Sequence, residues 1–225
     1  MTQIKICGIT KEEEIAYLNE TGISYAGFVC YEKSKRYIEL SEAKRICKKL
    51  NQNISKVAVT VSPSYEEIRR IADAGFDILQ IHGAFDDALV QQIELPVWRA
   101  VNLDSIRELK RWRMQKARYE AILLDAGSYG SGKTFGWDKK KEKTEWIAEI
   151  EKLKEELRKR KALLVLAGGL TTENVAEGIR IFNPDIVDVS SGVEQNTAGQ
   201  RKKRKDLIQS FAKAVRNENK KVNER

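Results

Sequence analysis

Residues 163–192, LLVLAGGLTTENVAEGIRIFNPDIVDVSSG, contain two short apolar runs that each lead into glycine. Runs this apolar are typical of parallel strands buried on both faces, rather than of strands with one face in water. Between them we expect a helix that begins just after Thr171 or Thr172. The segment therefore predicts a strand, a helix and a second strand, with a glycine loop after each strand.

Six further apolar runs rich in β-formers precede these two, which gives eight in all. The full set is IKICGI near residue 4, YAGFVCY near 25, KVAVTV near 56, DILQIHG near 77, VWRAV near 97, AILLDA near 121, LLVLAGG near 163 and DIVDVSSG near 185. Most of them start roughly 20 to 30 residues apart, which suits a strand, a loop and a helix of three turns. The alternation predicts an α/β fold, a single-domain (β/α)8 TIM barrel over residues 1–216, with a charged tail at 217–225.

A doubly wound open sheet is the competing architecture. Eight units in 225 residues, with no dinucleotide fingerprint after the first strand, favour the closed barrel. Helix starts are predicted from two capping boxes, Thr10 with Glu13 and Ser64 with Glu67. A long surface helix is expected at 141–161.

The composition describes an ordinary globular protein, 41% hydrophobic and 33% charged. The chain has no apolar run near the roughly 18 residues of a membrane span and no basic and apolar leader, so we expect a cytoplasmic protein without membrane contact. Three irregularly spaced cysteines and one histidine predict reduced thiols and no metal site.

The positive charge is concentrated at the C-terminus. Residues 199–225 carry ten Lys or Arg against three Asp or Glu, which is +7 of the total of +8. The run RKKRK at 201–205 is compatible with a nucleic-acid patch. Because it leads into an amphipathic pattern, we expect instead a solvated entry to a terminal helix and no nucleic-acid partner.

Catalytic groups of a (β/α)8 barrel lie at the C-terminal ends of the strands. Strands seven and eight end in Gly168, Gly169, Ser190, Ser191 and Gly192. Glycines let backbone N–H groups approach a ligand closely, and the loops after these two strands are the recurrent phosphate site of the fold. The two loops predict a phosphate cradle.

Four other strand ends carry candidate site residues. Asp125, after strand six, is placed as an acid whose pKa burial would raise, or else as a loop cap. Cys7, after strand one, is a thiolate base or nucleophile if positive groups lie nearby, or else a small buried residue. Arg36, after strand two, suits a carboxylate. His82, after strand four, either holds substrate or positions its loop.

These motifs together resemble the phosphoribosylanthranilate isomerase family. The matching segments are KICGIT, GFVCYEKSKRYI, LQIHG, LLDA with GSGKTFGW, LAGGLTTENV and DVSSGVE, in the family's order. The resemblance implies an aldose-ketose isomerase of tryptophan biosynthesis that performs an Amadori rearrangement without a cofactor. Its substrate is a small phosphosugar, and the enzyme is a monomer or a homodimer.

The resemblance also implies roles for single residues. Cys7 matches the family's general base, Asp125 its general acid and Arg36 its anthranilate carboxylate site. Asp188 points by strand alternation the same way as Ser190, and we expect it to support the ring-opening end of the substrate. Glu32 and Gly136 depart from the family's pattern, in loops beside the site.

Two alternatives compete with this interpretation. One is another phosphosugar barrel isomerase, such as the enzyme of the histidine pathway, which has an aspartate where Cys7 stands. The other is a non-catalytic barrel that binds nucleic acid through its basic C-terminal segment.

Overall fold

Eight parallel strands close into one barrel in the computed structural model of the chain, which describes residues 1–102, 106–113, 117–125, 140–197 and 200–223. The strands follow one another around the barrel in chain order, and β8 pairs with β1. All eight apolar runs are strands, as predicted. Strands β1 to β8 are Gln3–Cys7, Tyr25–Val29, Ser55–Val61, Ile78–His82, Val97–Asn102, Ala121–Asp125, Leu163–Leu166 and Ile186–Val189.

The connections are helical, with one departure from the predicted alternation. Helices α1 to α7 are Glu12–Thr21, Leu40–Cys47, Tyr65–Asp73, Ile106–Arg113, Lys140–Arg160, Val175–Phe182 and Lys205–Asn223. Between β4 and β5 there is a 3₁₀ helix, Asp87–Gln92, instead of an α-helix. The connection is short, and its proline at position 96 directly precedes β5, so a longer helix has no room. In the described part of the chain, no helix combines the length and apolarity that crossing a membrane requires.

Strand alternation separates two apolar cores. On β1, Ile4 and Ile6 point outward and pack under the helices, whereas Cys7 belongs to the cluster inside the barrel. On β6, Leu124 points outward and Leu123 inward. Both faces of each strand are therefore buried, which explains why the strands lack the polar alternation of a sheet with one wet face.

The start of α1 differs from the sequence prediction. The helix begins at Glu12, one residue later than a cap at Thr10 requires, so Glu14 and not Glu13 occupies the third helical position. Glu14 Oε2 accepts hydrogen bonds from the N–H groups of Thr10 (2.8 Å) and Lys11 (3.0 Å). The second predicted capping box, at α3, is confirmed because Ser64 and Glu67 bond each other's N–H groups.

Only part of the basic run at 201–205 is a solvated entry to the last helix, since Lys202, Arg204 and Lys205 are exposed but Lys203 is not. Its first three residues, together with Gln200, form β10, Gln200–Lys203, which pairs antiparallel with β9, Glu194–Thr197. Lys203 is buried, and its N–H donates to Oε1 of Glu14 at 2.8 Å. The prediction was wrong because strand pairing, which the charge pattern does not reveal, turns one of these lysines inward.

Two other helix boundaries also differ from expectation. Helix α6 begins at Val175, after a turn, and not directly after Thr171 or Thr172. Helix α7 continues to Asn223, past residue 216 where we placed the end of the barrel domain. Glu218 on this extension is buried and bonds Arg180 at 2.9 Å. The long helix expected at 141–161 is α5.

We predict that Glu14→Ala lowers the free energy of unfolding by about 2 to 3 kcal/mol, because three backbone N–H groups lose a charged acceptor. Urea unfolding followed by tryptophan fluorescence measures the change. Glu13→Ala is the matched control, since Glu13 is exposed and its nearest cation is 3.7 Å away. The control should change stability by less than about 0.5 kcal/mol. Equal losses in the two variants would contradict this role for Glu14.

Candidate active site

A cavity of about 420 Å³ opens at the C-terminal ends of the barrel strands. Its position agrees with the place where barrels of this type carry out their chemistry. Nine of the ten predicted site residues line it, namely Cys7, Arg36, His82, Asp125, Gly168, Gly169, Asp188, Ser190 and Ser191. The loop after β6, including Gly136, lies outside the described residues.

The tenth residue, Gly192, supports the cavity from behind. A Cβ atom at this position would lie 2.1 Å from the carbonyl oxygen of Leu170, so only glycine fits there. The loop after β8 thus packs directly against the loop after β7. In the loop after β7, Gly168 and Gly169 both have positive φ angles, 83° and 65°. Within the described residues, none of these three glycines donates its N–H to another group.

Cys7 is the last residue of β1 and is buried at the floor of the cavity. Its carbonyl oxygen accepts a hydrogen bond from Ser190 Oγ at 2.9 Å, which ties the end of β1 to the loop after β8. Burial raises the pKa of its thiol above the ordinary value, although the positive charges of Lys5 and Lys203 oppose that rise. The two cations thus reduce the effect of burial on the thiol without cancelling it.

The other two cysteines have a different environment. Burial raises the pKa of both Cys30 and Cys47 to about 12. Neither of them lines the cavity. Both are therefore expected to remain thiols at neutral pH.

Arg36 is held at the cavity by Glu194. Its Nε donates to Oε1 at 2.7 Å and its Nη2 donates to Oε2 at 2.8 Å, which is a bidentate pair. Among the described residues, no side chain or backbone group accepts a hydrogen bond from Nη1. This end of the guanidinium group is available to a second anion.

Two further cations meet the same glutamate. Lys203 Nζ lies 2.7 Å from Glu194 Oε1, and Arg201 Nη1 lies 3.5 Å from Oε2. Although burial acts to raise the pKa of Glu194, Arg36 and Lys203 lower it to about 2. One carboxylate thus faces three cations, which leaves this side of the cavity positive.

Lys5 and Asp188 form an ion pair inside the barrel. Lys5 Nζ lies 2.8 Å from Asp188 Oδ2, and the lysine side chain is completely buried. The other carboxylate oxygen, Oδ1, is buried and has no hydrogen-bond partner among the described residues. Since Asp188 lines the cavity, Oδ1 is an acceptor that a ligand hydroxyl can satisfy.

His82, at the end of β4, is a neutral ring. Its Nε2 lies 2.7 Å from Nε2 of Gln80, which points into the barrel from the same strand. Burial, with smaller effects from Lys5 and Arg99, lowers the pKa of His82 to about 3. The imidazole therefore contributes no positive charge to the cavity at neutral pH.

Sequence patterns identified the strand ends but missed the charges between them. Lys5 was visible as a charged residue in an apolar strand, two positions before Cys7 and hence on the same face. Lys203 had no such signal, because its burial depends on the pairing of β10 with β9. Glu194 was noted only as part of a motif, without the cations it binds.

A family model described as N-(5'phosphoribosyl)anthranilate (PRA) isomerase matches residues 4–214. A curated relative from Streptococcus mutans, named N-(5'-phosphoribosyl)anthranilate isomerase, is 37% identical over 95% of this chain and 100% of its own length. The chain and these proteins therefore share their whole barrel.

Solved structures give the same result. The crystal structure of phosphoribosyl anthranilate isomerase from Thermotoga maritima superposes with a TM-score of 0.81 at 34% identity, over 96% of this chain and 100% of that one. A phosphoribosyl anthranilate isomerase solved in complex with reduced 1-(o-carboxyphenylamino)-1-deoxyribulose 5-phosphate superposes with a TM-score of 0.78 at 33% identity, with the same coverage.

We predict that His82 remains neutral in the folded protein from pH 8 down to pH 5. Because its pKa falls from 6.5 to about 3 on folding, it contributes stability above pH 6.5 that is lost as the pH falls towards 3. It is the only histidine of the chain, so its ring proton resonances can be followed by NMR without assignment. The urea-unfolded chain serves as the control and should titrate near pH 6.5. A midpoint near 6.5 in the folded protein would contradict the buried neutral ring.

Proposed function

The chain belongs to the N-(5'phosphoribosyl)anthranilate isomerase family, and on that premise we propose a role for each side chain at the mouth of its barrel. The family's reaction, a step of tryptophan biosynthesis, converts N-(5'-phosphoribosyl)anthranilate to 1-(2-carboxyphenylamino)-1-deoxyribulose 5-phosphate. This Amadori rearrangement needs an acid, a base and anchors for two anionic ends of the substrate.

One observation carries the proposal. Strands β7 and β8, whose loops form the glycine cradle, lie between β6, which ends in Asp125, and β1, which ends in Cys7. A phosphosugar whose phosphate binds the cradle therefore lies between a carboxyl group and a thiol. Both groups line the same cavity.

Asp125 is the general acid. It is half-buried at the end of β6, and in its protonated form it donates to the ring oxygen of the ribose. The furanose then opens to a Schiff base between C1 and the anthranilate nitrogen. Asp188 Oδ1, which is buried and without a partner in the part of the chain that the structure describes, accepts a hydrogen bond from a sugar hydroxyl at this end.

Cys7 is the general base. Its thiolate removes the proton from C2 of the opened sugar and becomes a thiol, while the electrons of the C–H bond form the enolamine. The enolamine then tautomerises to the ketone, as C1 takes up a proton and the C2 hydroxyl group loses one. The thiolate suits this step because it is anionic before the transfer and neutral after it.

The two anionic ends of the substrate bind at separate places. The N–H groups of Gly168, Gly169 and Gly192, together with Ser190 and Ser191, bind the phosphate. The anthranilate carboxylate binds Nη1 of Arg36, whose other nitrogens Glu194 already holds. His82 supports the substrate as a neutral hydrogen-bonding group.

We expect Cys7→Ala and Asp125→Ala each to lower kcat at least about 100-fold, because each removes one proton-transfer group. The assay follows the loss of anthranilate fluorescence as the substrate is consumed. Cys30→Ala is the matched control, since Cys30 is a thiol outside the cavity, and it should retain full activity. Full activity in Cys7→Ala would show that the thiol is not the base.

Arg36→Ala should raise KM roughly tenfold or more with a smaller effect on kcat, because it removes a charged hydrogen bond to a part of the substrate that does not react. The same fluorescence assay, run over a range of substrate concentrations, separates the two constants. Arg45→Ala is the control, since Arg45 is exposed on α2 and pairs with Glu12 and Glu42. An unchanged KM in Arg36→Ala would remove Arg36 from the carboxylate site.

A further inference from the structure

Lys5 is a charged side chain in a place where barrels normally have apolar ones. It points into the barrel from β1, two residues before Cys7 and therefore in the layer directly below it. Its side chain is 0% exposed. Moving an ammonium group out of water is unfavourable unless other groups compensate for the lost hydration.

Two side chains provide that compensation. Asp188 Oδ2 accepts a hydrogen bond from Lys5 Nζ at 2.8 Å. The second is the Cys7 sulfur, whose negative charge as a thiolate favours the ammonium form of Lys5. The ammonium group is thus paired with the carboxylate of Asp188 and lies near the sulfur of Cys7.

Gly27, on the neighbouring strand β2, makes the approach of sulfur and ammonium possible. A Cβ atom at this position would lie 2.9 Å from Cys7 Sγ and 3.1 Å from Lys5 Nζ. Both groups thus occupy the space that any other residue at position 27 would fill. Strand register enforces this, because Cys7 pairs directly with Gly27.

The charges around Cys7 come from several elements. Lys5 on β1, Arg36 after β2 and Lys203 on β10 are the cations, and Asp188 on β8 is the anion. Glu194 neutralises part of the charge of Arg36 and Lys203, since it binds both. Lys5 is the cation with the largest favourable effect on the thiolate, and it outweighs the opposing effect of Asp188.

Lys5 itself keeps its proton. Burial lowers the pKa of its ammonium group, but Asp188 and the Cys7 thiolate together raise it above its ordinary value. It therefore remains a cation throughout the reaction and takes no part in proton transfer.

We infer that Lys5 is a positioning residue for the proposed reaction, whose buried ammonium group beside Cys7 Sγ stabilises the thiolate that accepts the C2 proton. Asp188 fixes the ammonium group beneath the sulfur. Lys5 does not line the cavity, so its effect on the thiol reaches the substrate only through Cys7. The inference rests on the proposed function for its consequence in catalysis, but the state of the thiol can be measured without substrate.

The experiment measures the rate of alkylation of Cys7 by iodoacetamide as a function of pH, with each cysteine quantified by mass spectrometry. Lys5→Met keeps the length of the side chain and removes its charge. We expect the midpoint for Cys7 to move up by about one pH unit or more, so that alkylation at a fixed pH below the midpoint falls roughly tenfold. Cys30 and Cys47 in the same protein are internal references and should not change.

Lys154→Met is the matched control, because Lys154 is also a buried lysine paired with a carboxylate but lies on α5, away from Cys7. It should leave the Cys7 midpoint where it is. If Lys5→Met leaves Asp188 too unfavourably buried to fold, the double variant Lys5→Met with Asp188→Asn removes both charges. It should still raise the midpoint, since Lys5 affects the sulfur more strongly than Asp188 does.

A folded variant with an unchanged or lowered Cys7 midpoint would overturn the inference. Activity separates this result from a failure of the proposed function. If the midpoint shifts but the wild-type protein does not consume phosphoribosylanthranilate, the proposed function fails and the pairing of Lys5 with Cys7 stands. If the wild-type protein is active and the midpoint does not shift, the role of Lys5 fails alone.

Discussion

The pairing of β1 with β8 closes the barrel and brings Lys5 opposite Asp188 in its interior. Most of the interior is apolar, so this ion pair is isolated from water. Buried ion pairs contribute little net stability, because the loss of hydration offsets most of the attraction, and apolar side chains of similar volume often serve the fold as well. Removing one partner is a different matter, since it leaves the other charge buried and unpaired. The fold therefore depends on keeping both residues. The inferred role of the pair is to stabilise the thiolate of Cys7, which lies in the layer above.

The charges at the mouth have a consistent arrangement. Three cations converge on Glu194, and one of them, Arg36, keeps a nitrogen free of partners among the described residues. The loops after β7 and β8 add glycine N–H groups and serine hydroxyls as uncharged donors, and Ser190 Oγ lies 3.3 Å from Lys203 Nζ. A substrate with a carboxylate and a phosphate can thus bind at both ends, with its sugar held between Cys7 and Asp125. His82, held neutral by burial, adds no competing charge.

The sequence predicted the barrel because both faces of every strand are buried, which makes the strands visible as continuous apolar runs. It predicted the strand-end residues for a related reason, since the fold places all such ends at one mouth. Sequence patterns failed where the position of a side chain depends on pairing between segments that lie far apart in the chain. Lys203 was assigned to a solvated segment, yet β10 turns it inward to Glu194. Similarly, the glutamate at the third position of α1 is Glu14 and not Glu13, and the Glu14 carboxylate also binds the backbone of β10. Periodicity along the chain contains no information about such contacts.

The proposed function requires the substrate to lie across the mouth with its phosphate at the glycine cradle and its C2 at Cys7. The most direct measurement is a crystal structure of this protein with reduced 1-(o-carboxyphenylamino)-1-deoxyribulose 5-phosphate. We expect the phosphate on the N–H groups of Gly168, Gly169 and Gly192, the carboxylate on Arg36, and C2 in contact with Cys7 Sγ. A ligand bound with its phosphate at Arg36, or with its C2 out of contact with Cys7, would contradict it.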